Sequence, residues 1–358
     1  MTTLAHYETL LHAVGEPYAV LPLPNAAALL ITRRGGRVLG LFPTPDSPNL
    51  FWTSRAFDSP ASFHAFISRS DGWHWNLGGD RMWIAPEITY NVRDRRDFGG
   101  TWDIPRAVDP GSYTLTETDR SVWLTTDLHL PGYHHGATMG TAHLRLTRTI
   151  QSTQPPLAHL DSTVVAFGYD QLAVLDRLDD QRQPLSEVWN LVQLNAGGTL
   201  IIPVIGDVHA SDYVKPVPAF ARQVVNGALH LPLNGQQQFK LGYKALCMTG
   251  RIGYLHDLPD GRSYLLVRHF FNDPSNLYAE EPPDEPGSTG HSVHVYNDGG
   301  AVDQGRPFCE MECSGHTLGF NDTFAKRAAD HHTFSLWTYV GARDAVYEIA
   351  RQLLGSTP

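Results

Sequence analysis

The sequence predicts an all-β protein built from antiparallel strands, and three observations carry that expectation. Only 18% of the 358 residues are charged, below the roughly one quarter of an average globular chain. The 32 glycines and 25 prolines punctuate the chain with turns and leave few stretches suited to long helices. Between those breaks, short runs with period two recur, bounded by Gly, Pro, Asn or Asp, which is the pattern of a large sandwich or barrel. A chain of this length could hold two domains, but all-β units often reach about 200–250 residues. No repeat of fixed period and no low-complexity segment occurs, and only the Pro-rich, acidic loop Ala279–Gly290 reads as a linker. One domain over residues 1–358 is therefore expected.

The first element is a short helix over Thr3–Val14, because Leu4, Tyr7, Leu10, Leu11 and Val14 fall at helical spacing; it forms an N-terminal extension over residues 1–17. From Tyr18 the period changes to two. Tyr18–Leu21, Ala27–Thr32 and Arg37–Phe42 read as strands, with a turn at Gly35-Gly36, and Asn49–Trp52 is a further apolar end. Ser54–Ser70 reads as an irregular insertion with a helical turn at Pro60–Ile67. Strand signals then come regularly: Ser112–Thr118, Ser121–Leu128, Thr141–Gln151, Ala158–Phe167, Val188–Leu194, Thr199–Val204, Gln237–Tyr243, Gly253–Leu255, Ser263–Phe270, Ser292–Tyr296, Phe308–Cys313 and Thr333–Val340. A closing helix is expected over residues 342–355, where Ala345, Val346, Ile349 and Leu353 share a side and Gly355 supplies the stop.

Composition excludes several classes of function. A formal charge of −10 argues against nucleic acid or an anionic membrane as partner, since phosphate binding needs a basic field. No stretch approaches the ~18 apolar residues that span a bilayer, and the N-terminus lacks a basic segment followed by an apolar run, so a soluble cytoplasmic protein is expected. Cys247, Cys309 and Cys313 have no metal-type spacing and read as free thiols. Gly-rich phosphate loops, a GxSxG elbow and an HExxH helix are absent. His134-His135 and Asp330-His331-His332 invite a metal reading, but adjacent strand residues point to opposite faces. They read instead as solvated loops, and neither metal nor cofactor is expected.

The densest stretch is Trp73–Glu87, WHWNLGGDRMWIAPE. Tryptophan offers a flat apolar face with a polar handle, suited to the C–H face of a sugar ring; arginine offers a fixed fork that bridges two hydroxyls or a carboxylate. Gly78-Gly79 inside a strand pattern marks a bulge or a close backbone approach. The bland alternative is core tryptophans and a surface Asp80-Arg81 pair. RDRRDFGGTWDIP follows, its charges read as a solvated face, and ends in Trp102-Asp103. In FCEMEC, Glu310 and Glu312 share a strand face. Lining a concave sheet, they would repel one another and raise one pKa, a device for acid–base work; facing outward, they would be a solvated pair. Trp189, Leu191 and Gln193 share a face likewise, and Lys240 is either an edge guard or a pocket cation.

The order of NLGGDRMWIAPE, VWNLVQL with Gly197-Gly198, FKLG, VRHFF, VHVYNDGG and FCEMEC resembles the galactose-mutarotase-like (aldose 1-epimerase-like) superfamily, within it a bacterial branch with a late E-x-E strand. TRRGGRVLGLFPTPDSPNLFW resembles that superfamily's first hairpin, so the similarity spans about residues 18–340. The resemblance implies a large antiparallel β supersandwich with short terminal helices and a concave cleft for a small carbohydrate. It also implies an aldose 1-epimerase activity with Glu310 as general base and Glu312 its neighbour. The epimerases place their acid histidine in an N-H-x-Y-F-N-L strand, where EVWNLVQL offers Val188 or Trp189, and an indole is a donor only. His294, His269, His134 or His135 are the available replacements, with Arg81 a further helper. Two functions follow as expectations: an anomer-interconverting isomerase, or a sugar-binding protein without the acid. The expected ligand residues are Asn76, Arg81, Trp83, Glu87, Trp102, Asp103, Trp189, Gln193 and Lys240, besides the two glutamates. Arg81 and Lys240 together suggest an acidic sugar.

Overall fold

The computed structural model describes residues 2–69, 74–181, 183–300, 306–318 and 329–358. Along the chain the strands are β1 (Tyr18–Pro22), β2 (Ala28–Thr32), β3 (Arg37–Phe42), β4 (Asp80–Ala85), β5 (Thr114–Glu117), β6 (Ser121–His134), β7 (Ala137–Thr153), β8 (Val164–Arg177), β9 (Glu187–Asn195) and β10 (Gly198–Pro203). There follow β11 (Ala210–Val214), β12 (Val224–Val225), β13 (Ala228–Leu233), β14 (Phe239–Lys244), β15 (Arg251–Asp257), β16 (Arg262–Phe270), β17 (His291–Asn297), β18 (Phe308–Ser314) and β19 (Ala329–Ala342). Two sheets result, of nine strands in the order β1-β2-β3-β4-β9-β18-β17-β14-β11 and of ten in the order β12-β13-β10-β15-β16-β19-β8-β7-β6-β5. The strand pairs are antiparallel. The protein is thus a large antiparallel β sandwich, as the sequence predicts.

The two sheets differ in what covers their outer faces. On β6, buried Val122, Leu124, Leu128 and Leu130 alternate with exposed Trp123, Asp127 and His129, the signature of a sheet with one face in water. On β4 all six residues are buried, and on β9 the first eight are. One face of these central strands packs on the other sheet, where Met82, Ile84, Val192, Val295 and Met311 join Leu128, Leu144, Phe167 and Leu336. The opposite face lies under loops and forms the site described below.

The helices cap this sandwich. The N-terminal helix, Leu4–Ala13, packs Tyr7, Leu10 and Leu11 with Leu30, Leu39, Phe42 and Phe57. The last helix, Arg343–Leu354, buries Val346, Ile349, Ala350 and Leu353 with Leu265 and Val267 of β16. It stops at Gly355, whose φ of 74° is the left-handed cap that glycine favours. Among the described residues no helix is long and apolar enough to cross a membrane.

The structure departs from the sequence reading in one strand's bounds and in two strands not foreseen, and it rules out the bland alternative for Asp80-Arg81. The strand expected at Ala158–Phe167 begins at Val164 and runs on to Arg177, because polar Asp170, Gln171 and Asp176 mask the inward series Tyr169, Ala173 and Leu175. Strands β11 and β13 were not expected: ASDYV is too polar to declare itself, and Pro232 interrupts ALHLPL. Asp80 and Arg81 are not a surface pair. They are buried and point to opposite sides of β4. Asp80 lies between the sheets and accepts hydrogen bonds from Tyr169 Oη (2.5 Å), Asn190 Nδ2 (2.7 Å), Arg268 Nη2 (2.7 Å), Gln171 Nε2 (3.1 Å) and Arg148 Nη2 (3.2 Å). Burial opposes its charge, but Arg268 and Arg148 hold its pKa below the usual carboxylate value.

Candidate functional site

Register gathers the site. Across β4 and β9, Arg81 faces Leu191 and Trp83 faces Trp189. Across β9 and β18, Glu310 faces Gln193 and Glu312 faces Leu191. Tyr296 and His294 of β17 stand opposite Glu310 and Glu312, and Lys240 of β14 opposite Tyr296. Because strand side chains alternate, these residues share the face turned away from the sandwich core. Of them Arg81, Leu191, Lys240, Tyr296 and Glu310 floor a cleft of about 880 Å³, including its open mouth, walled by Trp75, Trp83, Trp102, Trp189, Phe98 and Phe308.

The residues preceding β4 explain how the wall is held. Gly78 and Gly79 have φ of 103° and 79°, and a Cβ there would stand 2.2 Å from the Trp52 carbonyl oxygen and 2.3 Å from that of Val38. Only glycine tolerates both the conformation and the approach. Arg37, fully buried, donates to the carbonyls of Gly78 (2.6 Å) and Trp75 (2.8 Å) and to Asp109. Three indoles are then fixed by carboxylates: Trp83 Nε1 donates to Asp109 Oδ2 (3.1 Å), Trp102 Nε1 to Glu87 Oε1 (2.8 Å), and Trp189 Nε1 to Glu312 Oε2 (3.0 Å). Orienting each ring by its polar handle leaves its apolar surface to the cleft.

Two ion pairs set the electrostatics. Arg81 Nη2 donates to Glu310 Oε1 at 2.8 Å, while its guanidinium carbon lies 4.2 Å from the Trp83 ring centre and 5.1 Å from that of Trp75. Lys240 Nζ donates to Glu87 Oε2 at 2.7 Å, lies 3.8 Å from Glu312 Oε2, and sits 4.5 Å from the Trp189 ring centre. Burial, reinforced by Glu310 and Glu87 and opposed by Lys240, pushes the Glu312 pKa up to about 8. Burial and the neighbouring Glu87 carry Glu280, whose Oε2 accepts the Glu87 amide, well above the usual range. Burial works against the Lys240 ammonium, yet Glu312, Glu87 and Glu280 raise its pKa. Two cations thus stand among four carboxyl groups, and in two of these, Glu312 and Glu280, burial favours the protonated form.

The expected ligand residues separate into three groups. Arg81, Trp83, Glu87, Trp102, Trp189, Lys240 and Glu310 line the cleft. Glu312, Gln193, Asn76 and His294 lie behind its wall: Gln193 Nε2 donates to Asn76 Oδ1 at 3.0 Å, and His294 is packed edge-on to Tyr213. Burial, then Lys240 and His291, drive the His294 pKa well below its usual value, so the ring is neutral. Asp103 is exposed and outside the lining. Trp73 lies outside the described residues. His134 and His135 end the β6–β7 hairpin, and His269 stacks on Trp337 in the ten-stranded sheet. Tyr296 and Gln238 also line the cleft. Tyr296 shares the strand parity of His294 and could have been reached by the alternation applied to Glu310 and Glu312; Trp75 and Glu280 depend on loop paths that no period encodes.

The cysteines are free and buried, remote from any metal-type spacing. Among the described residues, the grouping of His, Asp or Glu whose ligand atoms converge is His316, Asp330 and His332. The last two lie on β19 and His332 is buried, which corrects the expectation of a solvated loop.

Comparison with solved structures supports the architecture. A Klebsiella pneumoniae subsp. pneumoniae protein described as a "putative aldose 1-epimerase" superposes with a TM-score of 0.50 at 10% identity, covering 92% of this chain and 80% of its own. Galactose 1-epimerase from Lactobacillus acidophilus gives 0.44 at 10% identity, covering 92% and 95%. At 10% identity the likeness to the first concerns the fold. No curated protein matches the sequence. A family model does match residues 69–357, most of the chain including every strand of the cleft floor, and the chain belongs to that family, the family of unknown function DUF6786.

Proposed function

We propose that the cleft binds a small carbohydrate and that Glu310 acts there as general base on an anomeric hydroxyl, giving aldose 1-epimerase-type chemistry. The observation that carries this reading is the Glu310–Arg81 pair set in the wall of a cleft lined by four tryptophans. Indole faces suit the C–H surface of a pyranose, and a carboxylate with an arginine suits its hydroxyls. Arg81 Nε and Nη1 are buried without a hydrogen-bond partner beside the cleft. The charges argue for a neutral sugar rather than an acidic one, because Arg81 and Lys240 each already face a carboxylate.

A second reading, binding without chemistry, draws on a specific feature: among the described residues lining the cleft none is a histidine. NMR measurement of anomer exchange across neutral aldoses, uronates and sugar phosphates separates the two. Acceleration for a neutral aldose that disappears in Glu310→Gln supports the isomerase. Saturation transfer to a sugar without acceleration supports the binding protein, and neither signal with any sugar would remove the carbohydrate reading altogether.

A further inference from the structure

We propose that His316, Asp330 and His332 form a binding site for a divalent transition-metal ion of the zinc type, which clamps the two sheets together. Asp330 and His332 are two apart on β19, so they share a face. Parity, which forbids the adjacent pair His331-His332 from chelating one ion, favours this one. The third ligand comes from the other sheet: His316 follows the end of β18 by two residues. Each of the three residues offers one ligand atom, and these atoms all lie within 4.8 Å of one another.

That spacing decides what the cluster can hold. Ligands about 2.0–2.2 Å from zinc stand roughly 3.3–3.6 Å apart in a tetrahedron. His316 Nδ1 and Asp330 Oδ2 are already at 3.4 Å. The widest separation therefore has to close by about an ångström, within the reach of side-chain rotation on His316 and Asp330, both partly exposed. His332 is the fixed member. It is 4% exposed, and a Cβ on Gly315 would stand 2.6 Å from its ring, so the backbone packs directly on the imidazole. The His316 ring meets it edge to face, centres 4.7 Å apart. Two imidazoles and one carboxylate suit zinc, cobalt or nickel, whereas calcium and magnesium prefer all-oxygen cages. The remaining coordination positions would be taken by water.

The site is independent of the cleft, so its test is separate from sugar chemistry. Full-length protein stripped with a chelator would be titrated with Zn²⁺ by calorimetry and with Co²⁺ by visible absorption, beside His316→Ala and Asp330→Asn. Both substitutions lie at partly exposed positions, where the fold should persist, which circular dichroism would verify. One equivalent of Zn²⁺, a raised Tm, and a weakening of on the order of 100-fold in each variant are expected, since loss of even an outer-shell partner costs roughly 10–100-fold. Absence of stoichiometric binding would overturn the site. So would unchanged binding in the variants, which would assign the ion elsewhere among the 18 histidines.

Discussion

Asp80 and Arg81 are neighbours on one strand, each buried and each paired with opposite charge, yet their surroundings have opposite uses. Asp80 receives five side-chain donors inside the sandwich, and its charge is stabilised. On the other face of β4 the carboxyls are crowded: Glu312 keeps one oxygen without a partner and its pKa is raised. Orphan donors alone do not mark the difference, because Arg268 Nε and Nη1 are unpartnered too. What distinguishes Arg81 is space beside it, a cleft that a ligand can enter. A saturated cluster without a cavity holds sheets together; a similar one left incomplete beside a cavity can act on something else.

Asp80→Asn offers the largest expected effect. It keeps the shape but leaves Arg148 and Arg268 buried without a counter-charge, and breaking a buried pair in this way costs about 3–5 kcal/mol. Equilibrium denaturation should show that loss. Glu310→Gln, by contrast, should cost under about 2 kcal/mol, because the amide oxygen still accepts from Arg81 beside the solvent of the cleft, while sugar turnover is abolished. Equal destabilisation by both would erase the distinction between the clusters.

The contrast was half legible in the sequence. Alternation on β6, and residues two apart in VWNLVQL and FCEMEC, identified strands and a shared face, and register did the rest. Hydrophobic period says nothing about which face of a doubly buried strand bears a cleft, so Asp80-Arg81 read as one pair although the two residues are divided between two environments. Asp103 shows the converse: proximity to Trp102 in sequence did not bring it into the cleft, because the backbone at Trp102 is extended and successive side chains of an extended segment point to opposite sides. The strands were visible where apolar residues alternate and hidden where polar Gln171 serves the interior.

A pH series sharpens the comparison next. The Glu312 pKa rises from an ordinary 4.5 to about 8 on folding, and burial likewise raises Glu187 to about 7. The folded protein therefore holds protons that the unfolded chain releases. This contribution is complete below about pH 4.5 and is lost as pH rises to about 8. Glu312→Gln should remove part of that slope, up to about 5 kcal/mol across the window, with Glu187 and Glu280 supplying the remainder. Denaturation midpoints between pH 5 and 8 that fall equally in wild type and variant would show that Glu312 does not hold its proton.

The smallest effects come from removing one donor on each face. Tyr169→Phe deletes the hydroxyl that Asp80 accepts at 2.5 Å, and Asp80 retains four donors, so about 1–2 kcal/mol of stability should be lost with sugar affinity unchanged. Trp189→Phe deletes the donor to Glu312 and part of a cleft wall, while leaving an aromatic face for Lys240. It should cost a comparable 1–2 kcal/mol, roughly the strength of one hydrogen bond to a charged or polar carboxyl. Sugar affinity should fall about fivefold as well, because a Phe ring presents less surface and no longer has a carboxyl to orient it. Denaturation and sugar titration on both variants give four numbers. If Tyr169→Phe weakened sugar binding as much as Trp189→Phe, the two faces of β4 would be one coupled network, and the assignment of Asp80 to the fold and Arg81 to the ligand would have to be abandoned.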